Sequence, residues 1–405
     1  MSARYDLVIV GGGPVGASLA RALAGVDLSI ALVEAVPPRD PGQPSYDERV
    51  LALAHGSRRI FEGMGLWPRL APHAHPIAHI HVSQRGRFGA TRLHAREEGV
   101  DALGHVIPTR AIGQTLWDEL PRQANLDIHC PARLTALELT RTSARLRLDT
   151  DTGPRTLEAA LVVAADGGAS PTRRLAGIDT EETDYGQSAV IATVTPERPH
   201  RDTAYERFTE SGPLALLPMS EGRCSLVFTV RRGEEDALLA LDDTAFLARV
   251  EARLPHQGGY LRVSPRRAYP LRLVRARRLT APRLALAGNA AHTLHPVAGQ
   301  GFNLGLRDVA HLAEAIADAH RAGTDLGDPE LLAAYERACR PDHDRTIGFT
   351  DFLARAFVLR APPAGHLRGL GLVALNLCAP LKRGFARHTL GLTPPLPRLA
   401  RGLAP

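Results

Sequence analysis

Lysine is nearly missing from this chain. Lys382 is the only one, although Lys+Arg together number 49. So pervasive a choice of arginine reflects coding bias rather than function. Cysteine is scarce too: the four residues Cys130, Cys224, Cys339 and Cys378 lie far apart, with no CxxC and no zinc spacing. That excludes a disulfide scaffold and points to a reducing compartment. No apolar run reaches the roughly 20 residues that span a bilayer. Polar and charged residues from Arg4 onward leave no secretory signal. The expectation is a soluble cytoplasmic protein.

Acidic residues run out after Asp351, while Arg355, Arg360, Arg368, Lys382, Arg383, Arg387, Arg398 and Arg401 follow. Those eight cations exceed the net +6 of the whole chain, so the residues before them carry −2. An overall balance of that kind gives no reason to expect a nucleic-acid partner. Inside this basic end, residues 369–381 carry no charge and are bracketed by Arg368 and by Lys382-Arg383. The run is too short to cross a membrane but fits an interfacial or core-packed helix. Two readings stand: Leu370, Val373 and Leu377 pack onto the body, or the acid-free segment meets anionic lipid, where each surface cation is worth up to about 1 kcal/mol. The second would place the protein peripherally on the inner face of the cytoplasmic membrane.

What is present is ample for a large core: 405 residues, 44% of them apolar and 23% charged. Residues 6–10, Asp-Leu-Val-Ile-Val, read as a buried strand ending at glycine. Gly11-Gly12-Gly13-Pro14-Val15-Gly16 follows, then a helix-like run to Ala24. Gly11, Gly13 and Gly16 match GxGxxG in the strand–turn–helix setting that pattern requires. The first glycine permits the turn, the second lets backbone approach a pyrophosphate, and the third allows close helix–strand packing. The phosphate would rest on the helix N-terminus, whose unpaired N–H groups favour an anion. A second strand ends at Glu34, a carboxylate suited to ribose hydroxyls and hostile to a 2′-phosphate. The ligand is therefore FAD or NAD rather than NADP. Gly369-Leu-Gly371-Leu-Val-Ala374 also fits the pattern, but no strand precedes it and no acid follows, so it is rejected.

Two further segments separate FAD from NAD. Residues 161–174 form a strand running into Asp166-Gly167, and residues 284–308 form a strand, a glycine-rich loop and a helix start. The latter contains His295-Pro296-Val-Ala-Gly299-Gln300-Gly301-Phe-Asn303-Leu-Gly305. With Ser45-Tyr-Asp-Glu-Arg49 and the wall segment Glu206-Arg-Phe-Thr-Glu-Ser-Gly212-Pro213-Leu214-Ala-Leu216-Leu-Pro218, they span most of the chain in order. In these motifs the sequence resembles the p-hydroxybenzoate-hydroxylase-like flavoprotein monooxygenases. The resemblance is nearest to their ubiquinone-biosynthesis branch, the UbiH/UbiF hydroxylases, and within it to the UbiH form that acts on 2-octaprenyl-6-methoxyphenol. One departure stands out: Gly288-Asn289 replaces the Gly-Asp that most of the superfamily uses on the flavin ribityl chain. An amide can still accept and donate hydrogen bonds there.

The resemblance implies an α/β fold: a Rossmann-like FAD-binding domain of the glutathione-reductase type, an inserted mixed β-sheet substrate domain, and C-terminal helices. The FAD domain would comprise residues 1–68, 105–178 and 279–345. The substrate domain would comprise 69–104 and 179–278, and 346–405 the helical basic tail. FAD contacts would fall on Gly11, Gly13, Gly16, Glu34, Arg49, Arg110, Asp166, Gly288, Asn289, Pro296, Gly299, Gln300, Gly301 and Asn303. Leu214, Leu216 and Pro218 would line the substrate pocket. The implied activity is insertion of one O2 oxygen into a hydrophobic prenylated phenol. Electrons would come from NAD(P)H bound transiently, or from a partner reductase, since no second nucleotide fold is visible. A ubiquinone-biosynthesis complex is the implied partner. Rival readings are an FAD oxidase or dehydrogenase on the same scaffold, and a flavin-binding subunit without catalysis.

His292 and His295 are the acid–base candidates because histidine titrates near neutrality. Only two residues separate them and no third ligand shares the spacing, so no metal is expected, and hydrogen bonding within the loop is the plainer role. Asp166 either contacts flavin or caps the following turn. His73, His75, His79 and His81 alternate as in a strand; without a carboxylate partner they read as one solvated or packed face.

Overall fold

The computed structural model describes residues 3–38, 49–255, 258–357 and 362–405. Ser45 to Glu48 of the Arg49 segment, and Arg360, lie outside the described residues. Strand Ala3–Val10 is apolar on both faces and buried from Leu7 onward, the pattern expected when helices cover a parallel sheet on both sides. It pairs in parallel with Arg155–Ala164 and with Ile30–Val33. Leu284–Leu286 and Leu126–His129 extend the parallel array at its two ends. On the same sheet, Ala132–Leu139, Ala144–Thr150 and Arg155–Ala164 form an antiparallel meander of alternating residues. Leu146 and Leu148 are buried there, while Arg145 and Arg147 face out.

A larger sheet of mainly antiparallel strands stands beside it. Among the described residues its order runs His292–Thr293, Arg267–Ala276, Thr180–Pro196, Cys224–Arg231, Gly212–Pro218, Thr203–Thr209, His79–Gln84 and Ala90–His94. Its first strand, His292–Thr293, comes from the glycine-rich loop segment, whose leading strand Leu284–Leu286 belongs to the parallel sheet, so the segment bridges the two. A three-stranded sheet of Val50–Ala54, Gly104–Pro108 and His75–Ile77 sits between them. The alternating histidines therefore do not share a strand. His75 belongs to the small sheet and hydrogen-bonds Asp202 at 2.8 Å, whereas His79 is in the large sheet and meets His94 at 2.8 Å. His73 lies in a short 3-10 turn.

Helix Gln300–Arg321 packs against the glycine-turn helix Pro14–Ala22 and against Pro329–Ala356. The tail forms helices Pro362–Leu377 and Ala379–Thr389. It is anchored to the large sheet's edge: Thr91 donates its hydroxyl to Leu372 O at 2.8 Å, and Arg92 N–H donates to Asn376 Oδ1 at 2.9 Å. The rejected glycine motif at 369–374 is helical, as its lack of a preceding strand required.

Tyr335, buried in Pro329–Ala356, donates to Leu286 O at 2.8 Å and so holds that helix to the strand leading into the glycine-rich loop. Tyr335→Phe leaves a buried carbonyl unpaired and should cost about 1–3 kcal/mol in a denaturant melt.

Candidate functional site

A cavity of about 910 Å³ opens where the three sheets meet. One end is backbone. Gly11 has φ +106°, a conformation glycine tolerates, and a Cβ there would sit 2.5 Å from Ala165 O. A Cβ on Gly12 would sit 2.6 Å from the Trp117 ring, whose Nε1 donates to Gly12 O at 2.9 Å. Helix Pro14–Ala22 begins with no side-chain cap, leaving its first N–H groups open. Gly11 and Gly13 line the cavity; Gly16 is not among its lining and instead admits close packing, since its Cβ would fall 1.9 Å from Gly11 O.

Glu34 lines the cavity at the end of Ile30–Val33. Its carboxylate accepts from Gly12 N at 2.5 Å and Val36 N at 2.8 Å, so it also braces the turn. Asp166 lines the cavity and caps the next turn as well: Thr172 N and Oγ1 donate to Oδ2 at 2.9 and 2.7 Å, and Ser170 Oγ donates to Oδ1. Arg49 lies on the wall with its guanidinium 5.3 Å from the Tyr269 ring centre. Arg110 is exposed on helix Thr109–Glu119 and is not among the cavity's lining residues.

The glycine-rich loop supplies the opposite rim. Asn289, Pro296, Gly299, Gln300, Gly301 and Asn303 all line the cavity. Gly288 does not: its φ of +60° fits it against Val15, and Gly288 N–H donates to Asp308. Ala298 and Gly299 both adopt left-handed φ, +59° and +61°, immediately before helix Gln300–Arg321 begins. Strain of this kind in a non-glycine residue concentrates at functional loops. Asn303 has no hydrogen-bonding capacity left for a ligand. Its Oδ1 accepts from Ala54 N and Ser57 Oγ, and its Nδ2 donates to Ala52 O and Gly299 O, all between 2.7 and 2.8 Å. It is a clasp between the small sheet and the loop.

Both candidate histidines turn away. His292 is buried outside the cavity lining, and its Nε2 meets Asp308 Oδ2 at 2.8 Å while His343 Nε2 meets Oδ1 at 2.6 Å. Residues far apart in sequence thus gather three metal-capable side chains, which the local spacing did not reveal. Each already satisfies another. Burial opposes ionisation of Asp308, yet attraction to His343 and His292 holds its carboxyl far below the usual range. Burial in turn lowers the His292 imidazole from its ordinary value, against the pull of Asp308. His295 is also driven down, to about 4, by burial. Its Nδ1 accepts from Val297 N at 3.1 Å and its Nε2 faces Gln187 Oε1 at 3.3 Å. Neither ring is placed for acid–base work in the cavity.

The cavity floor is one face of the large sheet: Ile80 and Val82, Ala204 and Phe208, Ala215 and Leu217, Ser225 and Val227, Ala189 and Ile191. Leu214 and Leu216, expected here, are on the other face, fully buried with Phe228 and Phe246 under helix Asp243–Glu251. Pro218 shares their parity and is not among the lining residues. A shift of one residue moves every side chain of a strand to the opposite face. The floor carries a carboxyl that the sequence did not single out, Glu206. Phe349, Leu353 and Phe357, with Leu372, Leu375, Phe385 and Leu390 of the tail, complete the walls.

The turn fits the flavin dinucleotide that the sequence motifs imply: bare backbone where a Cβ cannot stand, an uncapped helix start, and a carboxylate one strand away. The profile of the FAD binding domain family matches residues 4–350. The chain is 42% identical to the ubiquinone hydroxylase UbiL of Rhodospirillum rubrum, over 98% of its own length and 93% of that protein's. It is 30% identical to the 3-demethoxyubiquinol 3-hydroxylase of Escherichia coli, over 96% and 98%. The fold is also that of PqsL from P. aeruginosa, solved in complex with 2-aminobenzoylacetate. There the TM-score is 0.76 at 23% identity, covering 90% of this chain and 100% of that one.

Asp308→Asn removes a carboxylate that three N–H donors share. It should cost about 3–5 kcal/mol near neutrality, as for a broken buried pair. A depressed carboxyl contributes stability above its unfolded value of about 4 and loses it on acidification. The gap between the melts of wild type and variant should therefore narrow below about pH 4.

Proposed function

Because the chain belongs to the FAD binding domain family, we propose that it is an FAD-dependent monooxygenase that inserts one O2 oxygen into the ring of a prenylated phenol of ubiquinone biosynthesis. Residues 1–68, 105–178 and 279–345 hold the flavin, and 69–104 and 179–278 hold the phenol. The observation that carries this reading is the cavity itself: a backbone cradle at one end, continuous with an apolar floor and walls that suit a greasy chain. The names of the relatives, hydroxylases of ubiquinone and demethoxyubiquinol, support the substrate class. The chemistry supplied by bound FAD is electron transfer from NAD(P)H or a partner reductase, and activation of O2. The chain's own residues position the reactants and keep water out. The floor and the tail helices exclude solvent, and the backbone of Gln300 and Gly301, at the start of helix Gln300–Arg321, offers N–H groups to the flavin ring edge.

A peripheral membrane position follows from the same tail. No helix among the described residues is long and apolar enough to cross a membrane. Leu367, Leu370, Leu377 and Leu381 are nonetheless exposed, and Arg383 and Arg387 stand exposed beside them. We infer that this face rests on anionic lipid, next to the cavity wall that a prenyl chain would have to pass. Deleting residues 361–405 would not test this, because the tail also walls the cavity. Leu377→Asp with Leu381→Asp should cut pelleting with anionic phospholipid vesicles about tenfold and leave flavin content intact. Unchanged pelleting would remove the membrane proposal.

The activity is tested by turnover of a short-tail 2-prenyl-6-methoxyphenol. NAD(P)H and O2 should be consumed in step with a product heavier by one oxygen. If hydrogen peroxide is the sole outcome with every prenylated phenol offered, the hydroxylase reading fails.

A further inference from the structure

Across the cavity floor, one row of paired positions runs Thr91, Val82, Glu206, Ala215, Val227 and Ile191. A carboxyl stands in the middle of it, between Val82 and Ala215 on the neighbouring strands. It is half-buried and lines the cavity. The backbone N–H of Ala298, in its left-handed conformation on the glycine-rich loop, donates to it. That contact ties the floor to the loop proposed for the flavin ring, and it uses only part of the carboxylate's accepting capacity. A lone polar group on an apolar wall costs free energy unless something hydrogen-bonds it.

Resting on the hydroxylase reading above, we propose that Glu206 is the polar anchor of the phenol site: its carboxylate accepts the hydrogen bond of the substrate's ring hydroxyl and so fixes which ring carbon faces the flavin.

Burial in the apolar wall pushes the carboxyl up to about 7, with only the Ala298 N–H pulling the other way. The ionisable groups elsewhere in the cavity lining are Glu34, Arg49, Tyr205, Tyr269 and Asp166, and none is among the influences on Glu206. On its own strand, Arg207 points to the opposite face, paired across to buried Leu214. A carboxyl so placed is a better acceptor ionised than protonated. The anchored hydroxyl should therefore bind more tightly as pH rises from 6 to 8.

The test compares a short-tail methoxyphenol with its O-methyl ether, which lacks the proton, on the FAD-loaded enzyme. Dissociation constants come from flavin fluorescence. Wild type should prefer the phenol by about 10- to 100-fold, the usual worth of a hydrogen bond to a charged group. Glu206→Leu should reduce that preference to within threefold and scatter the position of hydroxylation. Glu206→Gln, which keeps a neutral accepting oxygen, should retain a preference of about 2- to 10-fold while losing its rise between pH 6 and 8. Equal binding of phenol and ether by wild type, or an undiminished preference in Glu206→Leu, overturns the assignment. If the wild type shows the preference but forms no hydroxylated product, the anchor stands and the hydroxylase reading falls instead.

Discussion

The site depends on one constraint: three stretches of chain, at 11–16, 165–166 and 288–305, must pack with no room for a Cβ, Gly11 against the Ala165 backbone and Gly288 against Val15. Gly16 lies against Gly11, and Gly305 of the long helix lies against Gly288, where a Cβ would stand 3.1 Å from its Cα. Val15 fills the remaining space beside Gly288. Any side chain at these positions would push the helices off the sheet edge and separate the pyrophosphate turn from the loop at 296–301. Glycine here acts through what it does not occupy, more than through its flexibility. Close packing of this kind transmits displacement, because protein interiors have little free volume to absorb it.

The features legible in the sequence were those with a short repeat. The strand–turn–helix at 6–22 and the strand, loop and helix start at 284–308 announce themselves by apolar runs and by the glycines that bound them. The resemblance marked 206–218 as a wall segment, but it could not say which of the two apolar faces of strand Gly212–Pro218 met the chamber. Both faces are buried, one under helix Asp243–Glu251 and one by the cavity. Ala215 and Leu217, not Leu214 and Leu216, took the chamber side. The smaller side chain of Ala215 beside Ala204 was the available hint, since a cavity needs room. Glu206 was likewise visible as an acid between Ala204 and Phe208 on an otherwise apolar face, once parity is known.

Longer-range partnerships carried no local sign. Asn303 belongs to a motif shared with flavoenzymes, yet its four hydrogen bonds go to 52–57 and 299. His292 is joined to Asp308 and His343 through folding alone. Conspicuous polar residues near a ligand motif can thus serve the loop that presents the ligand rather than the ligand itself. The tail illustrates the same limit. Charge and hydropathy gave its helix and its basic flanks, but not that Leu372, Leu375 and Phe385 would close the chamber.

That placement couples the outside of the molecule to its inside. Helices Pro362–Leu377 and Ala379–Thr389 turn Leu367, Leu370, Leu377 and Leu381 outward, while Leu372, Leu375 and Phe385 of the same two helices wall the chamber. Whatever presses on the outer face is therefore felt one side-chain layer away, because a packed wall has little free volume in which to absorb it.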